Sequence, residues 1–359
     1  MPFVLEKPLE SPAQIMELQI LRQFFLDYLN RFEAFQLFFD ISKSDYDIAG
    51  QTRNTNTMIL DHQKVDLSPL LEDLNVAEHT SIGGDFVIGY DFEKMNGSGH
   101  AFNDQIGLSI FDTANHGYEA FFLAGHIRAT ILNIIDQQIR DNREIDNYLF
   151  VDINELLKGP IAQKFVEKTN PVRATLTKGA VGIHGQLHRQ KRLFNFVCTG
   201  LPLFYYSKKE ECFFFLEPFS GPPLGYFDKS DLFFKPYVPH SIRLHPGDFM
   251  ILASDGCFDS ICIDDLTLPI GKTQKPIAHF RYPQNESMEV MHQFDPQKVN
   301  PNLLNEFADP AVQSFCHILE PLLRMGLGAK DIVSSALETL STNPCFNGDD
   351  QSLIVVKVL

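Results

Sequence analysis

Short runs of β-branched and aromatic residues recur along most of the chain, and turn-forming residues bound them. Runs of four to eight such residues with Gly, Pro, Asn or Asp at their ends are typical of strands. This pattern predicts strands at Phe86–Tyr90, Ile106–Phe111, Ala174–Leu176, Leu193–Cys198, Cys212–Leu216, Phe249–Ala253 and Leu353–Val358.

Helical periodicity appears in three blocks. Residues 11–39 open on a capping box with proline in the first turn and continue with apolar residues at alternating spacings of three and four. This seam predicts a helix that either packs on its own domain or forms a homodimer, and the sequence leaves both open. Further helices are predicted from Tyr118 to about Ile139 and from Pro310 to Leu340, with a break near Gly326.

Two segments lack a clear pattern. Residues 41–57 are polar and poor in large apolar residues, which favours a linker. The chain is therefore interpreted as an N-terminal helix and linker (1–78) followed by one domain (79–359). Residues 273–302 are polar and contain proline, and they fit no regular element, so they are interpreted as a flap over a site. Strands placed next to strands, with helices in separate blocks, indicate an α+β sandwich.

Composition narrows the class of protein. The chain has 359 residues, is 44% hydrophobic and contains no Trp, which is a globular composition. No apolar stretch reaches the roughly 18 residues of a membrane span, and the N-terminus lacks the pattern of a signal peptide, so a cytoplasmic location is expected. The net charge of −16 disfavours nucleic acid and anionic membranes as partners. The six cysteines form no CxxC pair and are interpreted as reduced structural thiols.

Aspartates occupy the ends of several predicted strands. Asp85 follows Gly83-Gly84, Asp112 ends one strand, Asp255 ends another, and Asp349-Asp350 precede the last one. A sheet that brings such carboxylates together creates an all-oxygen site suited to Mg²⁺ or Mn²⁺. A single aspartate of this kind is more often a turn residue or a helix cap, and spacing alone does not decide between these roles.

Seven short motifs follow one another around these aspartates. They are GGDF (83–86), D-x-x-N-H-G (112–117), ATL (174–176), TGLPL (199–203), GPPLG (221–225), L-x-PGD-x-x-x-L-x-SDG (244–256) and GDDQS-LIVV (348–356). In this order they resemble the metal-dependent PPM phosphatases, in particular the SpoIIE-like branch of bacterial protein serine/threonine phosphatases. The resemblance covers about residues 80 to 359.

The resemblance implies a β-sandwich of two mainly antiparallel sheets flanked by helices, with two Mn²⁺ or Mg²⁺ ions at one end. Asp112 would bridge the ions, assisted by the backbone carbonyl of Thr113. Asp255 and Asp349 would complete the ligands of the first ion. Asp85 would bind an ion directly or orient a water at the metal centre. His116 is a candidate for protonating the leaving group, and capping the following helix is its alternative role.

The activity implied is hydrolysis of phosphoserine or phosphothreonine on a regulatory protein, with anti-sigma-factor antagonists as one possible class of partner. The chain departs from the branch at Asn115, at Leu201 and at Gln351-Ser352, which leaves the carboxylates intact but affects expected substrate contacts. A non-catalytic scaffold and a phosphatase of small metabolites are the alternatives. Asp264-Asp265 also match the last motif, but proline and glycine soon follow them, so Asp349-Asp350 are preferred.

Overall fold

The computed structural model describes most of the chain that carries the predicted strands and helices. The described residues are 38–53, 57–60, 63–66, 83–96, 104–113, 118–141, 148–158, 179–217, 221–225, 237–259, 261, 277–282, 292–306, 309–343 and 349–359.

Sixteen strands and six α-helices lie in this part of the chain. The strands are β1 Phe38–Ser42, β2 Tyr46–Arg53, β3 Thr57–Leu60, β4 Gln63–Asp66, β5 Phe86–Asp91, β6 Gln105–Thr113, β7 Ala180–His188, β8 Leu193–Thr199, β9 Leu203–Ser207, β10 Cys212–Glu217, β11 His240–Arg243, β12 Phe249–Ala253, β13 Ala278–Arg281, β14 His292–Phe294, β15 Asn305–Glu306 and β16 Gln351–Val358. The helices are α1 Phe92–Asn96, α2 Tyr118–Asp141, α3 Tyr148–Lys158, α4 Gly256–Asp259, α5 Pro310–Arg324 and α6 Ala329–Ser341, with a short 3-10 helix at Pro301–Leu303.

Most of the strands form two large sheets. The larger sheet has the order β1-β2-β16-β12-β9-β10-β13-β15, and the smaller has the order β14-β11-β8-β7-β6-β5. Each contains one parallel pair, β10 with β13 and β11 with β14, and their other pairs are antiparallel. Strands β3 and β4 form a separate hairpin.

Apolar side chains on both faces of the sheets explain the layered arrangement. One buried cluster lies between the sheets and includes Ile48, Leu108 and Ile354. A second joins the larger sheet to α5 and α6, and a third joins the smaller sheet to α2 and α3. Every residue of β12 is buried, because this strand has the other sheet on one side and helices on the other. Continuous apolar strands of this kind are expected where both faces are covered.

The helices that cover the larger sheet begin at defined caps. The Asp309 side chain accepts hydrogen bonds from the Ala311 and Val312 amides, with Pro310 in the first turn of α5. The amide of Ala329, at the start of α6, donates 2.8 Å to Asp47 Oδ2 of β2. Between the two helices, Gly326 adopts a φ of +73°, a backbone conformation that glycine adopts without strain.

The predicted fold class is confirmed, and so are most of the predicted strands and two of the three predicted helical blocks. Six of the seven predicted strands are present within one or two residues of their expected bounds, and Ala174–Leu176 lies outside the described residues. The helix after residue 118 and the pair of helices separated near Gly326 are also present. Four cysteines, Cys198, Cys212, Cys257 and Cys316, are buried free thiols, as expected.

The interpretation of residues 41–57 as a linker is wrong. They contain the end of β1 and all of β2, and β2 pairs along its whole length with β16. Tyr46 and Ile48 are fully buried between the sheets. Arg53 donates to the Leu337 carbonyl and to the Ser341 hydroxyl at the end of α6. These residues were misread because polar side chains occupy much of the segment, while its buried contacts are made with distant parts of the chain.

The interpretation of residues 273–302 as lacking regular structure is also wrong for the part that is described. Strand β13 pairs with β10 in the larger sheet, and β14 pairs with β11 in the smaller sheet. The segment therefore contributes to both layers. A flap role for the remaining residues stays a prediction.

Two predictions concern residues that the structure does not describe or test. Residues 11–37 of the predicted helix, with its possible homodimer, lie outside the described residues. The prediction is wrong at its end, because Phe38 and Phe39 belong to strand β1. The division of the chain at residue 79 stays a prediction. Among the described helices, none combines the length and the apolar character needed to cross a membrane.

The role of β2 can be tested by truncating one of its buried side chains. Ile48→Ala removes apolar contacts between the sheets and should lower the free energy of unfolding by about 2–5 kcal/mol. Asp40→Ala, at an exposed position of β1, should change it by less than about 0.5 kcal/mol. Urea denaturation of the full chain measures both, and equal effects of the two substitutions would contradict the placement of β2 in the core.

Candidate functional site

Four strand ends meet at one end of the sandwich. In the larger sheet Ala253 of β12 pairs with Leu353 of β16, so the residues after β12 lie beside those before β16. In the smaller sheet Phe86 of β5 pairs with Phe111 of β6, which places the turn before β5 beside the end of β6. Antiparallel pairing within each sheet thus brings together the loops that carry the predicted ligands. These ligands are Asp85, Asp112, Asp255 and Asp349.

Asp85 is the most enclosed of these carboxyls. Its side chain is buried, and its Oδ2 atom has no hydrogen-bond partner. Burial raises the pKa of this carboxyl well above its usual range, and the charges of Asp112 and Asp350 raise it further, while a hydrogen bond from Ser254 opposes the shift. A buried carboxylate oxygen without a partner is costly unless a positive group meets it.

Asp112, near the end of β6 in the smaller sheet, has Asp85 and Asp255 as neighbours. Burial and, after it, the negative charge of Asp255 together raise the pKa of this carboxyl to about 8. Its carboxyl is within hydrogen-bonding reach of those of Asp255 and Asp85. Carboxylates this close cannot all remain charged without either a shared proton or a cation.

The remaining aspartates differ in exposure. Asp255 is exposed, Asp349 is half-buried and Asp350 is buried. One oxygen of Asp349, Oδ1, accepts a hydrogen bond of 2.7 Å from the Asp350 amide. The cluster therefore has an enclosed side at Asp85 and Asp350 and an open side at Asp255, from which a ligand could reach it.

Two glycines allow the loops to approach one another. A Cβ on Gly84 would lie 2.6 Å from Thr113 Oγ1, and a Cβ on Gly256 would lie 1.9 Å from the Asp350 carbonyl oxygen. Distances this short exclude a side chain at either position unless the backbone moves. Each glycine is adjacent to a predicted ligand, Asp85 or Asp255, so the contact between the loops depends on them.

Hydrogen bonds around Ser254 connect the larger sheet to Asp85. Ser254 Oγ accepts 2.8 Å from the Ser352 amide and forms the hydrogen bond to Asp85. The Ser352 hydroxyl is 2.7 Å from that of Thr52 in β2. The departure from the family pattern at residue 352 is therefore part of the packing of β16 against β2.

Leu201, the second departure, is buried in the cluster between the sheets. Its carbonyl accepts a weak hydrogen bond from the Cys198 thiol. An apolar side chain at this position thus stabilises the core, and no titratable group stands there.

Several sequence predictions lie elsewhere. His116 and Asn115 are outside the described residues, as are Asp264 and Asp265. Thr113 was predicted to contribute its carbonyl; the structure places its hydroxyl 3.0 Å from the Gly84 carbonyl and 3.1 Å from that of Ala120. Sequence reasoning assigned no role to Ser254 or Asp350, although both stand next to predicted ligands in the SDG and GDD motifs.

The donor set suits a hard divalent cation. It consists of carboxylate oxygens, it includes an unpaired buried oxygen on Asp85, and the strongest charge interactions at Asp85 and Asp112 come from other aspartates. Among the described residues, no group of three or more His, Cys, Asp or Glu side chains is arranged so that it could hold a metal ion.

The sequence model of the family "Stage II sporulation protein E (SpoIIE)" matches residues 103–297, more than half of the chain. No curated protein matches at the sequence level.

Solved structures resemble the fold at low sequence identity. The RsbU and RsbW domains of Rv1364c from Mycobacterium tuberculosis are 15% identical with a TM-score of 0.52, and the match covers 91% of this chain and 63% of that one. This likeness establishes the fold alone. RsbX in complex with magnesium is 12% identical (TM-score 0.46; 90% and 100% covered). The phosphatase domain of SpoIIE from Bacillus subtilis, with a fragment of its regulatory domain, is 13% identical (TM-score 0.46; 96% and 90% covered).

The cost of ionising Asp112, which burial and neighbouring carboxylates impose, can be measured as a dependence of stability on pH. The pKa of Asp112 is about 8 in the folded protein and near 3.8 when unfolded, so the folded state holds more protons between these values. The free energy of unfolding of the metal-free protein should therefore decrease as pH rises from about 4 to 8. Asp112→Asn cannot ionise, and at pH 8.5 it should be more stable than wild type by at least about 1 kcal/mol.

Thermal unfolding in EDTA at pH 6 and pH 8.5 measures this difference. Asp40→Asn, which removes an exposed carboxylate of β1, is the matched control and should behave like wild type. Mn²⁺ should stabilise wild type and the control, and stabilise Asp112→Asn much less. If Asp112→Asn were less stable than wild type at both pH values, ionisation of Asp112 would not destabilise the fold and the prediction would be wrong.

Proposed function

The chain belongs to the SpoIIE family of PPM-type phosphatases, and from this premise we propose that it removes phosphate from phosphoserine or phosphothreonine of a regulatory protein. The reaction would require two Mn²⁺ or Mg²⁺ ions at the aspartate cluster. The observation that supports this proposal is that four loops carrying carboxylates converge at one end of the sandwich, with Asp85 Oδ2 left without a partner.

The charge of the site explains why a cation is required. A phosphoryl group is an anion, and the aspartates around Asp112 would repel it. The same carboxylates would bind divalent cations and so reverse the sign of the local charge. When bound, two such ions supply an acidified water as nucleophile and neutralise the phosphoryl oxygens.

The chain's own residues would have distinct roles in this reaction. Asp112, which is near both Asp85 and Asp255, is the proposed bridge between the ions. Asp255 and Asp349 would hold one ion from the open side of the cluster, and Asp85 would act from its enclosed side. Thr113 would contribute its carbonyl oxygen. These groups position and neutralise charge, which is the main task of a protein in phosphoryl transfer.

His116 is the proposed proton donor to the leaving serine or threonine oxygen. An imidazole suits this task because its pKa lies near neutral pH. The proposed partner is a phosphorylated protein of the anti-sigma-factor-antagonist type, as membership of this branch suggests. The net charge of −16 disfavours a nucleic acid as the partner and is consistent with a protein.

Hydrolysis of a phosphoserine peptide and of p-nitrophenyl phosphate tests the proposal. Wild-type protein should turn over both in Mn²⁺ and neither in EDTA. Asp112→Asn should lower kcat/KM by at least about 100-fold, because a charge-neutralising group in the reaction is lost. Asp40→Asn should retain full activity.

The other outcomes separate the alternatives. Turnover of p-nitrophenyl phosphate without any turnover of phosphoserine peptides or phosphoproteins would favour a phosphatase of small metabolites. Stabilisation by Mn²⁺ that requires Asp112, without turnover, would indicate an intact site that needs an activating partner. Neither turnover nor stabilisation by Mn²⁺ would refute the proposal and favour a non-catalytic scaffold.

A further inference from the structure

A hydrogen bond between two distant loops fixes the turn that carries Asp85. The Gly84 amide donates 2.7 Å to Asp350 Oδ2, and both groups are buried although they are 266 residues apart. A bond from an amide to a carboxylate is among the stronger hydrogen bonds in proteins. It connects the loop before β16 in the larger sheet directly to the loop before β5 in the smaller one.

The next peptide group, which begins with the Gly84 carbonyl, is held as well. The Gly84 carbonyl accepts from Thr113 Oγ1 at 3.0 Å, at the end of β6. The Gly84 amide is thus bound by the loop before β16, and the Gly84 carbonyl is bound by the last residue of β6. Asp85 is the next residue, so the direction of its carboxyl depends on these two bonds.

Asp350 is itself held in place. Its carbonyl oxygen packs so closely on Gly256 that a Cβ there would lie 1.9 Å away, and its amide donates to Asp349 Oδ1. Packing on one side and hydrogen bonds on the other leave Asp350 little freedom to turn. Its carboxylate oxygen is therefore a fixed acceptor for the Gly84 amide.

We propose that Asp350 is a positioning residue, which orients Asp85 through Gly84 and does not itself hold a cation. The role requires an oxygen that accepts the Gly84 amide hydrogen, and the side-chain oxygen of asparagine can supply it as well as a carboxylate can. Adjacent aspartates would then have opposite requirements: Asp349 needs its charge as a ligand, and Asp350 needs only its oxygen. This inference rests on the proposed function of the site.

The same substitution at the two positions should therefore give opposite results. Asp350→Asn keeps an oxygen that can accept from Gly84 and should leave the Mn²⁺ affinity within about threefold of wild type. Asp349→Asn should abolish stabilisation by Mn²⁺. Asp350→Ala removes the acceptor and should weaken Mn²⁺ binding by about 10–100-fold, the usual effect of losing a group that orients a ligand.

Mn²⁺ titrations followed by thermal unfolding of the full-length variants give these affinities, and phosphoserine-peptide turnover gives kcat and KM. Turnover of Asp350→Asn should remain near the wild-type value. If Asp350→Asn lost Mn²⁺ binding as Asp349→Asn does, Asp350 would be a ligand and the proposal would be overturned. Unchanged Mn²⁺ affinity in Asp350→Ala would equally overturn it.

Hydrogen exchange tests the bond without any metal or activity. In EDTA, a peptide that begins at or before residue 81 and contains Gly84 should exchange faster in Asp350→Ala than in wild type, and Asp350→Asn and Asp349→Asn should retain protection. If wild-type protein showed this protection but no response to Mn²⁺, the proposed function would fail while the orienting bond stood. Equal exchange in all four proteins would overturn the positioning role, whatever the activity.

Discussion

Repulsion among carboxylates at one end of the sandwich is the constraint on which the arrangement of this protein depends. Asp85 and Asp112 are buried beside further aspartates, and burial and like charge both disfavour their ionised forms. Such a cluster destabilises the folded state, so other parts of the molecule must hold the loops in place. Three apolar layers supply that stability, one between the sheets and one on each outer face.

Contacts between loops turn this general stability into a defined geometry. The Gly84 amide is bonded to Asp350, its carbonyl to Thr113, and Ser254 is bonded to both the Ser352 amide and Asp85. Each of these bonds joins parts of the chain that are far apart in sequence, and two of them cross between the sheets. The position of Asp85 is thus set by partners on other strands, so its place in the site requires both sheets to be assembled.

Local sequence patterns predicted the elements whose form depends mainly on neighbouring residues. The apolar run of β12 predicted its bounds, and the glycines near residue 326 predicted the break between α5 and α6. Strand β2 was missed because its burial arises from pairing with β16, about 300 residues later, and its own composition is polar. The aspartates could be identified by their places at strand ends, but the partner of Asp350 could not, since nothing in the GDD motif indicates that its oxygen meets the Gly84 amide.

The insertion of β16 between β2 and β12 has a consequence for how the chain folds during synthesis. Strand β2 is made early, yet the only strands it pairs with in the larger sheet are β1 and β16. Until β16 leaves the ribosome, the side of β2 that β16 covers stays open and the buried face of Ile48 lacks its final neighbours. A two-stranded hairpin is marginally stable alone. While the roughly 300 residues between β2 and β16 are synthesised, pairing of this open edge with another copy therefore competes with folding.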